Sequence, residues 1–263
     1  MPYTCTIVTC FYRTNTKKHT FEEYDKWMSN MLCNIETPMV IFSDESWKEK
    51  LEFLRIGKPT QIYIVPFNGL KMMQHKYREY WNRDFQRDTE NRYHSTELYV
   101  LWNEKTNFVN AVVNMNPFNT EFFVWCDIGL FRQKEVMTLY KNWPKIPDNI
   151  ERDKIYLLNV FPFQDGELNI LPNGLTKKFD RIDRVGAGVI FGYKNVWETF
   201  ANIYYGTLEK YMENNYFSGK DQSICSTIYA LHPDLINLIH PTIEYYRKYG
   251  VDRAWFYLRD WFL

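Results

Sequence analysis

The sequence has no excess of charge of either sign. Its 263 residues include 32 Lys and Arg and 32 Asp and Glu, which gives a formal net charge of zero. No run of basic residues is longer than two or three. Proteins that bind nucleic acids or anionic membranes through charge carry basic patches. The composition therefore argues against nucleic-acid and polybasic membrane partners.

Cysteine is scarce and its spacing is irregular. The five cysteines are Cys5, Cys10, Cys33, Cys126 and Cys225. Their number is odd and no pair has CxxC spacing, so neither a zinc site nor a disulfide framework is indicated. Free thiols are typical of a reducing compartment such as the cytosol.

Long apolar runs are also missing. No window approaches the eighteen apolar residues of a membrane-spanning helix. The first residues, "MPYTCTIVTCFYR", lack the basic segment and long apolar stretch of a signal peptide. There is no repeat, low-complexity tract or separating linker. We therefore expect one soluble domain over residues 1–263, located in the cytoplasm.

Aromatic residues, in contrast, are abundant. The chain has 19 Phe, 20 Tyr and 9 Trp. Any single ring is most simply a core or rim residue. Tyr and Trp also have amphipathic rings that suit clefts for flat or sugar-like ligands, so part of this set is a candidate for ligand binding.

The first 67 residues predict a β-α-β-α-β order. A β-branched and aromatic strand covers residues 3–12. Thr20, with Glu23 three residues later, forms a capping box before a helical apolar stripe. A short strand (39–44) closes on Asp44, and the helix "ESWKEKLEFLRIG" and the strand "PTQIYIVPF" follow. This alternation is typical of a parallel sheet with right-handed crossovers.

The rest of the chain continues as an α/β protein. Residues 68–95 are polar and aromatic with weak periodicity, which favours a partly helical excursion or mobile lid. A strong helix then begins at Ser95 or Thr96. The other expected elements are strands at 154–163 and 185–192, helices over "YKNVWETFANIYYGTLEKYMENNYF" and "SGKDQSICSTIYAL", and an aromatic tail at 242–263.

The segment "FFVWCDIGLFR" (122–132) is the first candidate site. Its four leading apolar residues indicate a strand covered on both faces, and Asp127 follows almost directly. In open α/β sheets, ligands bind beyond the carboxyl ends of strands. Asp127 could hold a divalent cation there, with Gly129 leaving room for a ligand. Equally, it could cap a helix over "LFRQKEV".

Two further polar positions stand out. Lys105 falls on the apolar face of the long helix, where a lysine either snorkels to the surface or reaches an anion in a pocket. Asp221 and Gln222 open a helix in "GKDQS". They could act as a base or as electrostatic support near the positive helix end, or simply as an N-cap and first-turn residue.

A glycine pattern and a histidine complete the candidates. "VGAGVIFG" (185–192) contains GxGxxxG, but no apolar strand precedes the first glycine, as a dinucleotide fingerprint requires. We therefore reject nicotinamide binding, and a strand flanked by glycines fits a wall for a flat ligand better. His240 is a lone histidine in an apolar segment and is more typical of a structural residue than of a metal ligand.

Five segments together resemble a known family. "TIVTCFY", "PMVIFSDE", "LWNEKTNFVNAVVNMNPFNTEFFVWCDIGLFR", "GAGVIFG" and "KDQS" look like the HtrL/YibB family, whose members resemble GT-A-type glycosyltransferases. The resemblance covers about residues 4–235, and its best motif runs from Trp102 to Arg132. It implies a single-domain GT-A-like α/β fold with a mostly parallel central sheet flanked by helices.

The resemblance also implies roles for individual residues. Asp127 matches the first acid of the DxD motif that holds Mn²⁺ or Mg²⁺ against a donor diphosphate. The third position is Gly129, so either Asp221 or His240 completes the metal site, or Lys105 and Arg132 neutralise the diphosphate instead. The remaining assignments are donor binding by Thr9, Tyr12, Asp44, Asn103, Lys105 and Arg132, an acceptor border at Gly186 and Gly188, and catalysis by Asp221 with Gln222 beside it.

The resulting hypothesis is a glycosyltransferase that moves a sugar from a nucleoside-diphosphate donor to a hydroxyl acceptor on a glycan or protein-linked sugar. Residues 68–95 would close over the donor and exclude water. Two other hypotheses remain open. One is a nucleotide-sugar or glycan-binding protein without turnover, and the other is an interaction domain in which Asp127 only caps a helix.

Overall fold

The computed structural model describes residues 3–15, 18–179 and 182–263. Within them, one sheet is built from β1 (Cys5–Phe11), β2 (Met39–Ser43), β3 (Thr60–Ile64), β4 (Phe122–Cys126), β5 (Ile155–Asn159), β6 (Val185–Tyr193) and β7 (Ile236–Ile239). The α-helices are α1 (Phe21–Asn34), α2 (Lys48–Leu54), α3 (His75–Arg87), α4 (Thr96–Met115), α5 (Trp197–Glu213), α6 (Asp221–Leu231), α7 (Ile243–Tyr249) and α8 (Tyr257–Trp261).

The sheet is mostly parallel, with strand order β3-β2-β1-β4-β6-β5-β7. The pairs β1–β2, β2–β3, β1–β4 and β5–β7 are parallel, and β6 runs antiparallel to both of its neighbours. The expected single α/β domain with a mostly parallel sheet is confirmed.

Helices cover both faces of the sheet. One apolar core lies between the sheet and α4, α5 and α6, and the other between the sheet and α1, α2 and α8. Neighbouring residues of β4 alternate between them, with Trp125 in the first core and Val124 in the second. All of β4 is buried, so its continuous apolar run has the expected cause.

The capping box at the start of α1 is present. The Glu23 backbone N–H donates to Thr20 Oγ1 at 3.2 Å, and the Thr20 N–H donates to Glu23 Oε2 at 2.8 Å. These bonds satisfy two backbone groups that a helix start leaves unpaired. They fix the start of α1 next to the end of β1, where the site described below lies.

One of the two alternatives for Asp127 is wrong, and one strand is absent from the sequence prediction. Residues 127–130 form a turn rather than the start of a helix, and only a 3₁₀ segment (Lys134–Tyr140) follows. Asp127 therefore caps no helix, because none begins there. The short strand β7 was not expected, since four residues are too few for a clear alternation pattern.

Residues 68–95 contain α3, and this helix is packed rather than loose. Tyr77, Trp81 and Asp84 of α3 are buried. None of the described residues of the segment lines the cavity at the carboxyl ends of β1 and β4 that is described below. The helical part of the excursion is confirmed, whereas the closing motion stays a prediction. Among the described residues, no helix is both long and apolar enough to cross a bilayer.

Candidate functional site

A cavity of about 540 Å³ opens at the carboxyl ends of β1 and β4. The chain passes from β1 to β2 and β3 on one side, and it later enters β4 on the other side of β1. Such a reversal makes neighbouring crossovers diverge and leaves a crevice beyond the strand ends. Residues that follow the two strands, Tyr12 and Asp127, both line this crevice.

The lining combines aromatic rings with basic side chains. Tyr12, Phe21, Tyr24, Trp102 and Trp125 supply the rings. The lysine, arginine and histidine side chains of the lining are those of Arg13, His19, Lys105 and Arg132. Burial first, and then the charge of Arg132, lowers the pKa of His19, so that this imidazole is neutral near pH 7. Among the described lining residues, Asp127 carries the one acidic side chain.

Lys105 lies at the inner end of the cavity between two carboxylates. Its Nζ is 3.1 Å from Asp127 Oδ1 and 2.8 Å from Asp221 Oδ2. It also donates to the Ala187 carbonyl at 3.0 Å. The three oxygens come from the turn after β4, the start of α6 and the first part of β6. Residues far apart in sequence therefore meet at one ammonium group.

The Lys105 side chain is only 5% exposed, so it does not snorkel. Burial alone lowers the pKa of a lysine, but Asp127 and Asp221 outweigh burial and raise the pKa of Lys105 above its ordinary value. The lysine therefore remains charged in the interior. A buried charge of this kind is stable only with paired and well-placed partners.

Asp221 lies behind Lys105 rather than in the cavity wall. It is 2% exposed, and burial raises its pKa to about 6 although Lys105 opposes the shift. Neither oxygen of Asp221 accepts a well-aligned hydrogen bond from the described residues, so its contact with Lys105 is an ion pair. As a catalytic group that touches a substrate, Asp221 is misplaced. Its contact with Lys105 supports a role for Asp221 in positioning that lysine.

Asp127 is the carboxylate that faces the cavity, with 38% of its side chain exposed. Trp125 Nε1 donates to Asp127 Oδ1 at 2.7 Å. Oδ2 is farther from Lys105 Nζ, at 3.4 Å, and is therefore the oxygen less engaged within the protein. The backbone N–H of Asp127 donates to the Gly188 carbonyl at 2.8 Å, which fixes the residue against β6.

The donor set at Asp127 does not fit a divalent cation. Lys105 Nζ already stands between Asp127 and Asp221, and Trp125 Nε1 takes up Asp127 Oδ1. Among the described residues, the cluster of side chains spaced like metal ligands is Asp88, Glu90 and His94, and it lies outside the cavity lining. That group is internally paired, because His94 Nδ1 is 2.7 Å from Asp88 Oδ2 and Lys220 binds Glu90 at 2.6 Å.

Of the expected donor-binding residues, Tyr12, Lys105 and Arg132 line the cavity, and Thr9, Asp44 and Asn103 do not. Thr9 is buried within β1. Asp44 accepts a bond from the Ser46 N–H at 3.1 Å and caps a 3₁₀ turn. The Asn103 amide donates to the carbonyls of Ser218 and Gly219 at 3.2 and 3.3 Å. For Asp44 and Asn103, internal hydrogen bonds take up the polar groups that the prediction assigned to a ligand.

Of the two glycines predicted to border the acceptor, only Gly188 lies next to Asp127. A Cβ on Gly188 would lie 3.5 Å from Asp127 Oδ2, so this glycine borders the Asp127 carboxylate. Gly186 is different, because a Cβ there would meet Val160 and Leu158 side chains at 3.0 and 3.1 Å. Its position is an interior one in the sheet, not a ligand border.

Gln222 and His240 are not at the cavity either. Gln222 is half-buried, does not line the cavity, and its Oε1 has no hydrogen-bond partner among the described residues. His240 is exposed at the end of β7. Since β6 and β5 separate β7 from β4, His240 is roughly 14 Å from the end of β4. It cannot complete a metal site with Asp127.

Several lining residues were missed from the sequence. Arg13 follows β1, and His19, Phe21 and Tyr24 surround the capping box of α1. The signal was available, because the connection after the first strand of such a sheet opens on the crevice. In the sequence, Trp102 stands out only as the first residue of the best-matching motif, although its side chain lines the same cavity.

The family of the chain follows from its sequence profile. The profile described as "Bacterial protein of unknown function (HtrL_YibB)" matches residues 4–249. The chain belongs to this family. It is 27% identical over 227 residues to Protein HtrL of Escherichia coli (strain K12), an overlap of 79% of this chain and 73% of that protein.

A solved structure resembles the chain only loosely. It is 4-diphosphocytidyl-2C-methyl-D-erythritol synthase from Anaerococcus prevotii DSM 20548, with a TM-score of 0.36 and 9% sequence identity. The overlap spans 98% of this chain and 96% of the other. At this TM-score the likeness has no bearing on the activity of this HtrL/YibB-family chain.

Proposed function

We propose that this chain is a GT-A-like glycosyltransferase that moves a sugar from a nucleoside diphosphate to a hydroxyl acceptor on a glycan or protein-linked sugar. The observation that carries the proposal is the cavity at the ends of β1 and β4. Its wall places aromatic rings beside Arg13, Arg132 and one facing carboxylate, Asp127. A nucleotide sugar needs all three features, since it has a flat base, an anionic diphosphate and a reacting sugar.

The charges in the cavity support an anionic ligand. Lys105, Asp127 and Asp221 together carry one net negative charge when both acids are ionised, so these three residues do not attract a phosphate. Arg13 and Arg132 therefore supply the positive charge that faces the ligand. The Arg132 guanidinium lies 4.3 Å from the Trp27 ring centroid, which holds it at the cavity edge. Guanidinium groups match phosphate oxygens in bidentate geometry.

In the proposed reaction, Asp127 Oδ2 accepts the proton of the acceptor hydroxyl as its oxygen bonds to the anomeric carbon. The bond between that carbon and the diphosphate breaks, and the electron pair leaves on the diphosphate. Arg13 and Arg132 stabilise the charge that develops on the leaving group. Aromatic rings such as Tyr12 and Trp102 exclude water around the base and sugar.

Thermal melting with UDP- and GDP-sugars in EDTA tests donor binding, and CMP-sugars, which carry a monophosphate, serve for comparison. A ligand that binds the folded state raises the melting temperature by mass action. We expect one class of donor to raise it. Arg132→Ala should weaken binding of that donor by about 10- to 100-fold, because a charged hydrogen bond contributes about 1.5–3 kcal/mol.

Arg152→Ala is the matched control. Arg152 also lies over an aromatic ring, at 4.8 Å from the Tyr193 centroid, but it lines a different cavity from the one that contains Asp127. Its removal should leave donor affinity unchanged. If no nucleotide sugar shifts the melting temperature, or if both arginine variants weaken binding equally, the cavity is not the proposed donor site.

A second candidate function is nucleotide-sugar binding without transfer. The observation in its favour is that Asp127 is the sole acid among the described lining residues, and Trp125 and Lys105 already engage it. Release of nucleoside diphosphate separates the two functions. Acceptor-dependent release by the wild type that Asp127→Asn abolishes supports transfer. Donor binding without release supports a binding protein.

A further inference from the structure

The ammonium of Lys105 has the surroundings of a bound cation. Its Nζ lies within 3.1 Å of three oxygens, from Asp127, Asp221 and the Ala187 carbonyl. Carboxylate and carbonyl oxygens are the ligands that Mg²⁺, Mn²⁺ and Ca²⁺ prefer. We infer that Lys105 takes the place that a divalent cation would otherwise occupy, so that the cavity binds its ligand without a divalent ion.

The Lys105 ammonium and a divalent cation would need the same position between these oxygens. Lys105 Nζ donates to the Ala187 carbonyl at 3.0 Å and to Asp127 Oδ2 at 3.4 Å, and it forms an ion pair with Asp221 Oδ2 at 2.8 Å. Mg²⁺ binds oxygen at about 2.0–2.1 Å, so each oxygen would need to move inward by about 1 Å to bind it. No such movement is possible while the lysine fills the centre. Lysine and metal are therefore mutually exclusive.

The fixed charge of Lys105 replaces the charge that a cation would supply between Asp127 and Asp221. Two facing carboxylates, Asp127 and Asp221, would repel each other across a buried space. Lys105 neutralises one of the two charges and ties α4 to α6 and to the end of β4. Exclusion of a divalent cation by Lys105 does not depend on the proposed function. Only the identification of the ligand as a donor diphosphate rests on it.

Removal of Lys105 should therefore create a metal site. Lys105→Ala leaves two carboxylates and one carbonyl around a space the size of an ammonium group. We expect Mn²⁺ to bind this variant at least tenfold more tightly than the wild type, measured from the electron paramagnetic resonance signal of free Mn²⁺. Mn²⁺ should also raise the melting temperature of the variant and leave that of the wild type unchanged.

Two control variants isolate the site. Lys105→Ala combined with Asp127→Asn removes one carboxylate and should lose most of the gained Mn²⁺ affinity. Lys76→Ala removes a lysine from a single exposed carboxylate, since Lys76 is 2.6 Å from Glu209. It should gain no Mn²⁺ binding. Because these titrations contain no nucleotide, they are valid even if no nucleotide sugar binds.

Either of two results would overturn the inference. One is Mn²⁺ binding by the wild type that Asp127→Asn abolishes, because the lysine would then not exclude the metal. The other is a folded Lys105→Ala variant with no gain in Mn²⁺ affinity. If the variant folds only with Mn²⁺ present, the inference is supported. If the variant does not fold in any buffer, the wild-type titration alone decides. No Mn²⁺ binding by the wild type supports the inference, and binding that depends on Asp127 overturns it.

Discussion

Asp221 shows at the scale of one residue how burial and a buried lysine oppose each other. Desolvation disfavours its charged form, whereas Lys105 at 2.8 Å favours it. Burial is the larger effect, so the folded protein holds a proton on Asp221 more tightly than the unfolded chain does. The free energy of unfolding must therefore depend on pH through this group.

The sign of that dependence is fixed by the direction of the shift. The pKa of Asp221 rises from 3.8 to about 6 on folding. Its contribution to stability is fully present below pH 3.8 and is lost as pH rises through 6. Relative to Asp221→Asn, which does not titrate, the wild type should lose about 3 kcal/mol of stability between these limits.

Urea unfolding of both proteins at several pH values measures this difference. Subtraction of the two curves removes the titrating groups that do not interact with Asp221 and leaves the contribution of Asp221 with its neighbours Asp127 and Lys105. A difference that does not change between pH 4 and 7 would contradict the assigned burial of this carboxyl group. The same result would weaken the case that Asp221 holds Lys105 in place.

At the scale of elements, the turn before α6 determines where Asp221 lies. Gly219 sits against the ring of Tyr99, and a Cβ on it would lie 2.9 Å from Tyr99 Cδ1 and 3.0 Å from Phe217 Cζ. Asn103 of α4 binds two carbonyls of the same turn. Rigid rings and hydrogen bonds thus lock the start of α6 onto α4, the helix that carries Lys105.

Substitution of this glycine tests the fit of the two helices. Gly219→Ala should lower the free energy of unfolding by about 1–3 kcal/mol, because the buried rings have no room to move. Gly206→Ala is the matched control, since Gly206 lies within α5 with no atom near its Cβ position. It should raise stability by up to about 1 kcal/mol. Equal effects in urea unfolding would contradict the described packing.

At the scale of the whole molecule, Asp84 joins α3 to the turn before α6. This carboxylate is fully buried. It accepts bonds from the Ser218 N–H at 2.6 Å, the Ser218 hydroxyl at 2.8 Å and Arg87 Nη2 at 2.6 Å. A segment fixed in this way is a poor candidate for a lid that opens as a unit, although the sequence favours an excursion or mobile lid there.

Hydrogen exchange distinguishes an anchored α3 from a mobile one. We expect the amides of α3 to be protected to the same degree as those of α4. Asp84→Ala should speed their exchange and cost about 1–3 kcal/mol, because it leaves the buried Ser218 N–H and hydroxyl without an acceptor. Asp148→Ala, at an exposed aspartate, should change neither quantity. Rapid exchange of α3 in the wild type would restore the lid prediction.

The sequence by itself determines the alternation of strands and helices and the buried nature of β4. It also places Asp127 directly after that strand and Lys105 on the inner face of α4. These features follow from periodicity, capping and turn residues, all of which act over a few positions. The capping box at Thr20 is found in the structure where the sequence predicts it.

Only the tertiary structure decided which groups pair with one another. The contacts of Lys105 with Asp127, Ala187 and Asp221 join three separate parts of the chain. No local pattern distinguishes these residues from Asn103 or Asp44, whose side chains bind the protein itself. Strand order also separates His240 from Asp127. Pairing and strand order depend on how the whole sheet closes, because side-chain type and spacing do not encode distances between remote segments.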